Sequence, residues 1–273
     1  MRLIAWNILH GGGPKRTPEI AVRLSELRPD VTVLTEFRRT TGGQIAGVLF
    51  DRGLTHQRST DPGPGRNGVL IASRTPLETA EPGPDERFKH RWLDVHLPEL
   101  GAWLTAVHAP DTRRSDACGV ERQALYWQAL VRLAGSRKDA RMLIAGDLNT
   151  GRHRLDESGA SFTGGWFLGR LWTLGFRDSY RIIEPSKRGA TWTSRTGSGF
   201  RIDAVWVSAA LRESVIDVRH GTDAREAGAS DHAPVIADFG GVFQGFFDAV
   251  GHRKSQNPTK TGVRALAAPK VVR

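Results

Sequence analysis

Short apolar runs that end in polar residues, with few helical patterns between them, dominate the chain. Residues 2–8 read as a first strand, stopped by Gly11-Gly12-Gly13-Pro14. Thr17 as N-cap, with Pro18 at the first helical position, predicts a helix whose Ile20, Leu24 and Leu27 share one face. Pro29-Asp30 ends it, and residues 31–37 form a buried strand that carries Glu36. Residues 61–67, rich in Gly and Pro, are a loop, followed by a strand over 68–73. Residues 90–97 and 102–107 pair as a hairpin and deliver His108-Ala109-Pro110 at the strand exit. A second helix over 120–134 turns Ala124, Trp127, Val131 and Ala134 inward.

Later in the chain, residues 142–145 make a short apolar strand capped by Gly146-Asp147-Leu148-Asn149. Residues 164–174 are helical and aromatic, and 191–193, 200–207, 215–219 and 235–239 supply further strands. Many strands with few helices predict an α/β fold: two packed mixed β-sheets with helices outside. Polar candidates recur where strands end, so loops at a common sheet edge can bring them together. Adjacent residues inside a strand face opposite ways, so Asp231 and His232 serve one pocket only from the loop before residues 235–239. Pro234, lacking a ladder donor, agrees with that placement.

Composition narrows the class. With 273 residues, 39% hydrophobic, 8 Trp and 11 Phe, the chain can bury a sizeable core. No repeat or mid-chain linker divides residues 1–240, which read as one domain. The single cysteine, Cys118, excludes an internal disulfide and cysteine-rich zinc sites, and cytoplasm is the expected compartment. No stretch approaches the roughly 20 apolar residues of a membrane span. A net charge of +10 points to polyanionic partners. Part of it lies in residues 241–273, where Arg253, Lys254, Lys260, Arg264, Lys270 and Arg273 face Asp248 alone; this segment reads as a flexible basic tail that binds phosphate backbones or only aids solubility.

The candidate residues suit hydrolysis of a phosphodiester, in which water attacks phosphorus while the phosphoryl and leaving oxygens are supported electrostatically. Glu36 and Asp231 offer hard oxygen ligands for Mg²⁺. Asp147 can orient or deprotonate the water, Asn7 and Asn149 can donate to phosphate without repelling it, and a protonated His232 braced by Asp203 can meet a phosphoryl oxygen. Each residue also has a plainer reading: Asp147-Leu148-Asn149 as an Asx turn, Glu36 as a solvated strand end, His108 as a structural histidine. Trp6 and Trp192 read as core before stacking platforms, and Arg38 and Arg201 as surface charges before phosphate clamps. Asp203, between Ile202 and Ala204, is harder to dismiss, because a carboxylate in an apolar strand needs a partner.

Together, Trp6-Asn7, Thr35-Glu36, Asn67-Gly68-Val69, Gly146-Asp147-Leu148-Asn149, Arg201-Ile202-Asp203 and Ser230-Asp231-His232-Ala233-Pro234 resemble, in order, the motifs of the endonuclease/exonuclease/phosphatase superfamily. Leu174-Gly175-Phe176-Arg177-Asp178, Thr191-Trp192 and the Asp203 motif look most like its exonuclease III branch. The resemblance implies a four-layer α/β sandwich and a Mg²⁺-dependent phosphoesterase, with Mn²⁺ as a substitute ion. It implies Glu36 as principal metal ligand, with Asp231 and Asn7 beside it, and a His232 to Asp203 pair acting with Asp147 and Asn149. Asn67, Arg38, Arg201 and Trp192 are the expected substrate contacts. Three departures stand out: Leu9 replaces Asn or Asp, Thr35 replaces Gln, and His108 stands where repair enzymes carry Tyr and the DNase I and phosphatase branches carry His. DNA is the expected partner and a nuclease the leading expectation; a phosphatase of small or lipid esters and a noncatalytic nucleic-acid-binding module are the rivals.

Overall fold

The computed structural model describes residues 1–80, 86–111, 117–158, 162 and 164–241. The predicted basic tail, apart from Gly241, lies outside the described residues. In chain order the first half comprises β1 (Arg2–Asn7), α1 (Gly13–Leu27), β2 (Val31–Phe37), α2 (Arg39–Asp51), β3 (His56–Ser59), β4 (Gly68–Ser73), β5 (Glu78–Thr79), β6 (Trp92–Leu97) and β7 (Ala102–His108). The second half comprises α3 (Ala117–Ser136), β8 (Met142–Asp147), α4 (Trp166–Thr173), β9 (Arg177–Asp178), α5 (Ser179–Ile183), β10 (Trp192–Thr193), β11 (Gly199–Phe200), β12 (Asp203–Val207), β13 (Val215–His220), α6 (Thr222–Glu226) and β14 (Val235–Phe239).

Two six-stranded sheets, ordered β13-β14-β1-β2-β4-β3 and β5-β6-β7-β8-β12-β9, carry the fold. Each is mixed: β1 runs parallel to β2 and β7 parallel to β8, with α1 and α3 as the crossovers. The inner faces meet in one core that includes Ala5, Val33, Val69, Val95, Leu104, Ala145, Val205 and Val235. On the outer face of the first sheet, Ile4, Trp6, Leu34 and Leu70 pack on Ile20, Leu24, Ile45 and Leu49 of α1 and α2. On the outer face of the second, Val107, Ile144 and Trp206 pack on Tyr126, Trp127, Leu130, Phe167 and Leu171 of α3 and α4. The result is the four-layer α/β sandwich, in which each fully buried Leu, Ile or Phe contributes about 1.5–3 kcal/mol.

Several expectations shift in detail. The helix α1 begins four residues before Thr17, so Thr17 and Pro18 sit inside its first turns and Pro14 takes the N-terminal position. The Thr17 hydroxyl donates to the Gly13 carbonyl (2.8 Å). On α3 the fully buried stripe is Tyr126, Trp127, Leu130 and Ala134, with Ala124 and Val131 only partly covered. The expected strand over 200–207 is broken into β11 and β12, because the Thr191 hydroxyl accepts the backbone N–H groups of Ile202 and Asp203 (3.1 Å each). Among the described residues no helix is long and apolar enough to cross a membrane.

Candidate active site

Strand ends from both sheets converge on one cleft of about 970 Å³. Asn7 ends β1, Glu36 lies near the end of β2, His108 ends β7 and Asp147 ends β8; Asp203 opens β12, and Asp231-His232 sit in the loop before β14. His108 and Asp147 are register partners of parallel strands, as are Asn7 and Thr35, while Asp203 faces Asp147 across an antiparallel pair. Gly146 lets the strands close here: its φ is +135°, and a Cβ would lie 2.1 Å from the Val107 carbonyl oxygen.

Glu36 reaches the cleft through a backbone irregularity. The register with β4 shifts between Thr35 and Phe37, and Glu36 takes a φ of 56°, rare for a residue with a side chain. Its Oε2 accepts the His10 backbone N–H (2.8 Å) and the Asn67 amide (2.8 Å), and lies 2.7 Å from His10 Nδ1. Its Oε1 accepts the Asn7 amide at 3.3 Å and stands 3.9 Å from His108 Nε2. A solvated strand end would not be held this way, since several donors converge on one partly buried carboxylate.

Asp147 and Asn149 form the expected Asx turn and line the cleft as well. Asp147 Oδ1 accepts the Asn149 backbone N–H (2.9 Å), while the Asn149 amide donates to the Ala109 carbonyl (2.8 Å). Asp147 Oδ2 accepts the Asn7 amide (2.9 Å) and lies 3.8 Å from His108 Nε2. Burial first, and then the neighbouring Asp203 carboxylate, push Asp147 up to about 7. Burial, reinforced by the Arg91 charge, holds His108 well below the ordinary histidine value, so its ring is neutral at neutral pH.

The Asp231-His232 loop is fastened on several sides. Ser230 Oγ donates to the Asn7 carbonyl (2.7 Å) and accepts the His232 backbone N–H (3.2 Å), and Trp6 Nε1 donates to the His232 carbonyl (2.8 Å). Trp192 Nε1 donates to Asp231 Oδ2 (3.0 Å). His232 Nδ1 lies 2.8 Å from Asp203 Oδ2, the partner that the buried carboxylate required. Burial opposes charge on this ring, but the charge and hydrogen bond of Asp203 outweigh it and raise His232 to about 9.

Asp147, Asp203 and His232 form a buried group, with ligand atoms all within 4.8 Å of one another, that could hold a metal ion. Two carboxylate oxygens here, Asp203 Oδ1 and Asp231 Oδ1, are shielded from solvent without a hydrogen-bond partner among the described residues. Such orphaned acceptors fit a cation, and the oxygens of Glu36 and Asp231 fit a hard one. A charged His232 is a donor and not a ligand, so the oxygen donors are the better fit.

The other expected residues divide. Asn67 and Trp192 line the cleft. Asn7 lies beneath it, 1% exposed, its side-chain Nδ2 donating to Glu36 and Asp147 and its side-chain Oδ1 accepting from the Leu9 N–H. Arg38 acts on Asn67, donating from Nε to Oδ1 (2.7 Å). Arg201 is not brought to the cleft: it is 3% exposed and bound to Asp156 and Asp178, because a guanidinium buried beside two carboxylates is held by them. Trp6 is core, as its fully buried ring indicates. His10, Arg91 and the Thr193-Ser194-Arg195-Thr196 turn also line the cleft and were not singled out from sequence. A histidine directly after the first strand, three residues beyond Asn7, was the signal available for His10.

Comparison with curated proteins gives no match. Among solved structures, a 3' phosphatase, NExo, from Neisseria bound to a product DNA hairpin is similar at 22% identity, covering 88% of this chain and 100% of that one, with a TM-score of 0.73. A 3'-5' exonuclease, NExo, from Neisseria meningitidis is similar at 23% identity over 88% and 99% (TM-score 0.74). An AP endonuclease from Archaeoglobus fulgidus is similar at 20% identity over the same shares (TM-score 0.77), and its likeness shows a DNase I-like fold. The family model described as the endonuclease/exonuclease/phosphatase family matches residues 4–232, and the chain belongs to that family.

Proposed function

We propose that the chain is a Mg²⁺-dependent phosphodiester hydrolase that cuts DNA. The observation that carries this reading is the meeting, at one cleft, of the Glu36 and Asp231 carboxylates with a proton-accepting Asp147 and a His232 kept charged by the buried Asp203 behind it. Glu36 and Asp231 would hold the ion, and a bound Mg²⁺ supplies charge stabilisation to the phosphoryl and leaving oxygens. Asp147, pushed up to about 7 and oriented by the Asn7 amide and the Asn149 N–H, takes the proton of the water that attacks phosphorus. His232, fixed through Nδ1 by Asp203, donates from Nε2 to a nonbridging oxygen as the bond to the leaving oxygen breaks. Arg91 and Arg195 at the walls favour an anionic substrate.

DNA as the polymer is supported by the net charge of +10 and by the fold shared with a 3' phosphatase that binds a DNA hairpin. The test is a panel of end-labelled substrates: abasic, nicked and recessed duplexes, single-stranded DNA and RNA, each with Mg²⁺ or chelator. Cleavage of a DNA substrate that stops in chelator is expected, and product lengths assign endonuclease or exonuclease action. Absence of cleavage across all DNA substrates, in the presence of turnover on small phosphoesters, overturns DNA as substrate.

A further inference from the structure

Away from the cleft, the chain exposes two large aromatic rings on one short helix. Trp166 and Trp172 of α4 are 55% and 45% exposed. They line a groove of about 580 Å³ together with Arg152, His153, Phe162 and Trp206. The residues of the catalytic cleft make no use of them, and exposed aromatic rings gathered in one groove, unlike a single exposed side chain, mark an interaction site.

The chemistry of the groove identifies what it takes. Arginines accompany both rings: the Arg177 guanidinium lies 3.6 Å above the Trp172 ring, Arg152 lies 5.5 Å from the same ring, and Arg170 lies 5.4 Å from Trp166. Arg177 is kept there by donating to the carbonyls of Trp172 (3.0 Å) and Phe176 (2.8 Å). No carboxylate is among the described residues that line the groove. Trp166 stacks by one side on Phe167 (3.7 Å between centroids), yet both indoles stay about half exposed, and half-exposed rings with interleaved cations match a strand of unpaired nucleotides, whose bases stack while its phosphates meet arginine.

A chain of ring contacts leads from the groove to the catalytic cleft. Trp192, which lines the cleft, lies 5.5 Å from Phe200 between ring centroids, and Phe200 lies 5.9 Å from Phe162, which lines the groove. All three are only partly buried. Arg152 stands three residues beyond Asn149. We propose that this aromatic track, ending at Trp166 and Trp172, is a base-stacking subsite for an unpaired single-stranded segment of the substrate that runs on from the catalytic cleft. The proposal rests on the nuclease reading and adds the form of nucleic acid that the enzyme prefers.

The test uses the full chain with Trp166→Ala and Trp172→Ala combined. Fluorescence anisotropy in chelator compares a blunt duplex with the same duplex bearing a single-stranded extension of about ten nucleotides. The double variant is expected to bind the extended duplex about tenfold more weakly and the blunt one within about twofold of the parent. Hydrolysis of bis(p-nitrophenyl) phosphate with Mg²⁺ and the thermal midpoint stay unchanged. Replacement of both residues by Phe keeps a stacking face and restores most of the affinity. Equal binding of the extended duplex by parent and Ala variant overturns the proposal, as does an equal loss on the blunt duplex. Concentration-dependent self-association that the Ala variant lacks also overturns it, since a second copy then occupies the groove. The nuclease reading fails separately, through absence of phosphodiester turnover in a parent protein that still distinguishes the two duplexes.

Discussion

Burial alone would strip the His232 ring of its proton, yet Asp203 Oδ2, 2.8 Å from Nδ1, raises it from 6.5 to about 9. A value raised on folding means that the charged pair stabilises the folded state fully below 6.5, and that this contribution is lost as pH rises through about 9. Asp203→Asn removes the charge that keeps the proton on the buried ring, so the stabilisation of the charged pair is lost and the variant is expected to be less stable by about 3 kcal/mol at pH 6. Urea unfolding at pH 6 and again near pH 10 should show the deficit shrinking as the parent's ring also becomes neutral. An equal deficit at both values would count against the charged pair. Glu36→Gln poses a different question, because the shape of the side chain persists while one negative charge is lost. Turnover should fall by more than the roughly 10–100-fold typical of losing an outer-shell metal partner, with calorimetric Mg²⁺ binding weakened and stability changed by no more than about 1 kcal/mol. Full activity in the Glu36→Gln variant would remove Glu36 from the chemistry.

Between residues and the whole, Arg201 shows how an element boundary can mislead. It occupies the break between β11 and β12, where its Nε donates to Asp156 Oδ1 (2.7 Å) and its terminal nitrogen reaches both Asp156 Oδ2 (3.0 Å) and Asp178. Arg181 binds the same Asp156, so the network ties the turn after Asn149 to β9, α5 and β12. Arg201→Ala leaves two buried carboxylates short of a cation and should cost about 3–5 kcal/mol in chemical unfolding. Turnover per folded molecule should stay within about twofold, because the residue does not touch the cleft. A selective rise in KM at unchanged stability would return it to the substrate side. From sequence, a basic residue beside Ile202-Asp203 reads as a surface charge or a phosphate clamp and not as a buried ion-pair partner, since its two anionic partners lie 45 and 23 residues away. The strands that sequence places well, β2, β4 and β14, are apolar runs with local stop signals. The helix α2 was missed because Gly42, Gly43 and Gly47 lower its helical propensity, although Ile45 and Leu49 are buried by tertiary packing. The backbone turn that aims Glu36 was equally invisible, because it depends on its register with β4.

At the scale of the molecule, two separately built sheets place their chemistry at one edge because each contains a parallel pair whose strand ends come together. Asn7 and Glu36 come from the first sheet, His108 and Asp147 from the second, and the loop before β14 brings His232 back against Asp203. That cleft contains several carboxylates, so an approaching polyanion must be attracted by charge located elsewhere. Arg91 and Arg195 at the cleft, the arginines near α4 and the overall net charge of +10 supply it. Neutralising phosphates along a polymer releases condensed counterions, whereas a small ester has no such atmosphere to release. Raising salt from about 50 to about 200 mM should therefore weaken DNA binding by tenfold or more, with the logarithm of affinity falling linearly against the logarithm of salt. Over the same range the KM for bis(p-nitrophenyl) phosphate should change little. Anisotropy titration of a labelled duplex, alongside steady-state kinetics on the small ester, measures both slopes. A DNA slope near zero would leave the phosphoester chemistry in place and make a small substrate the better fit to this cleft.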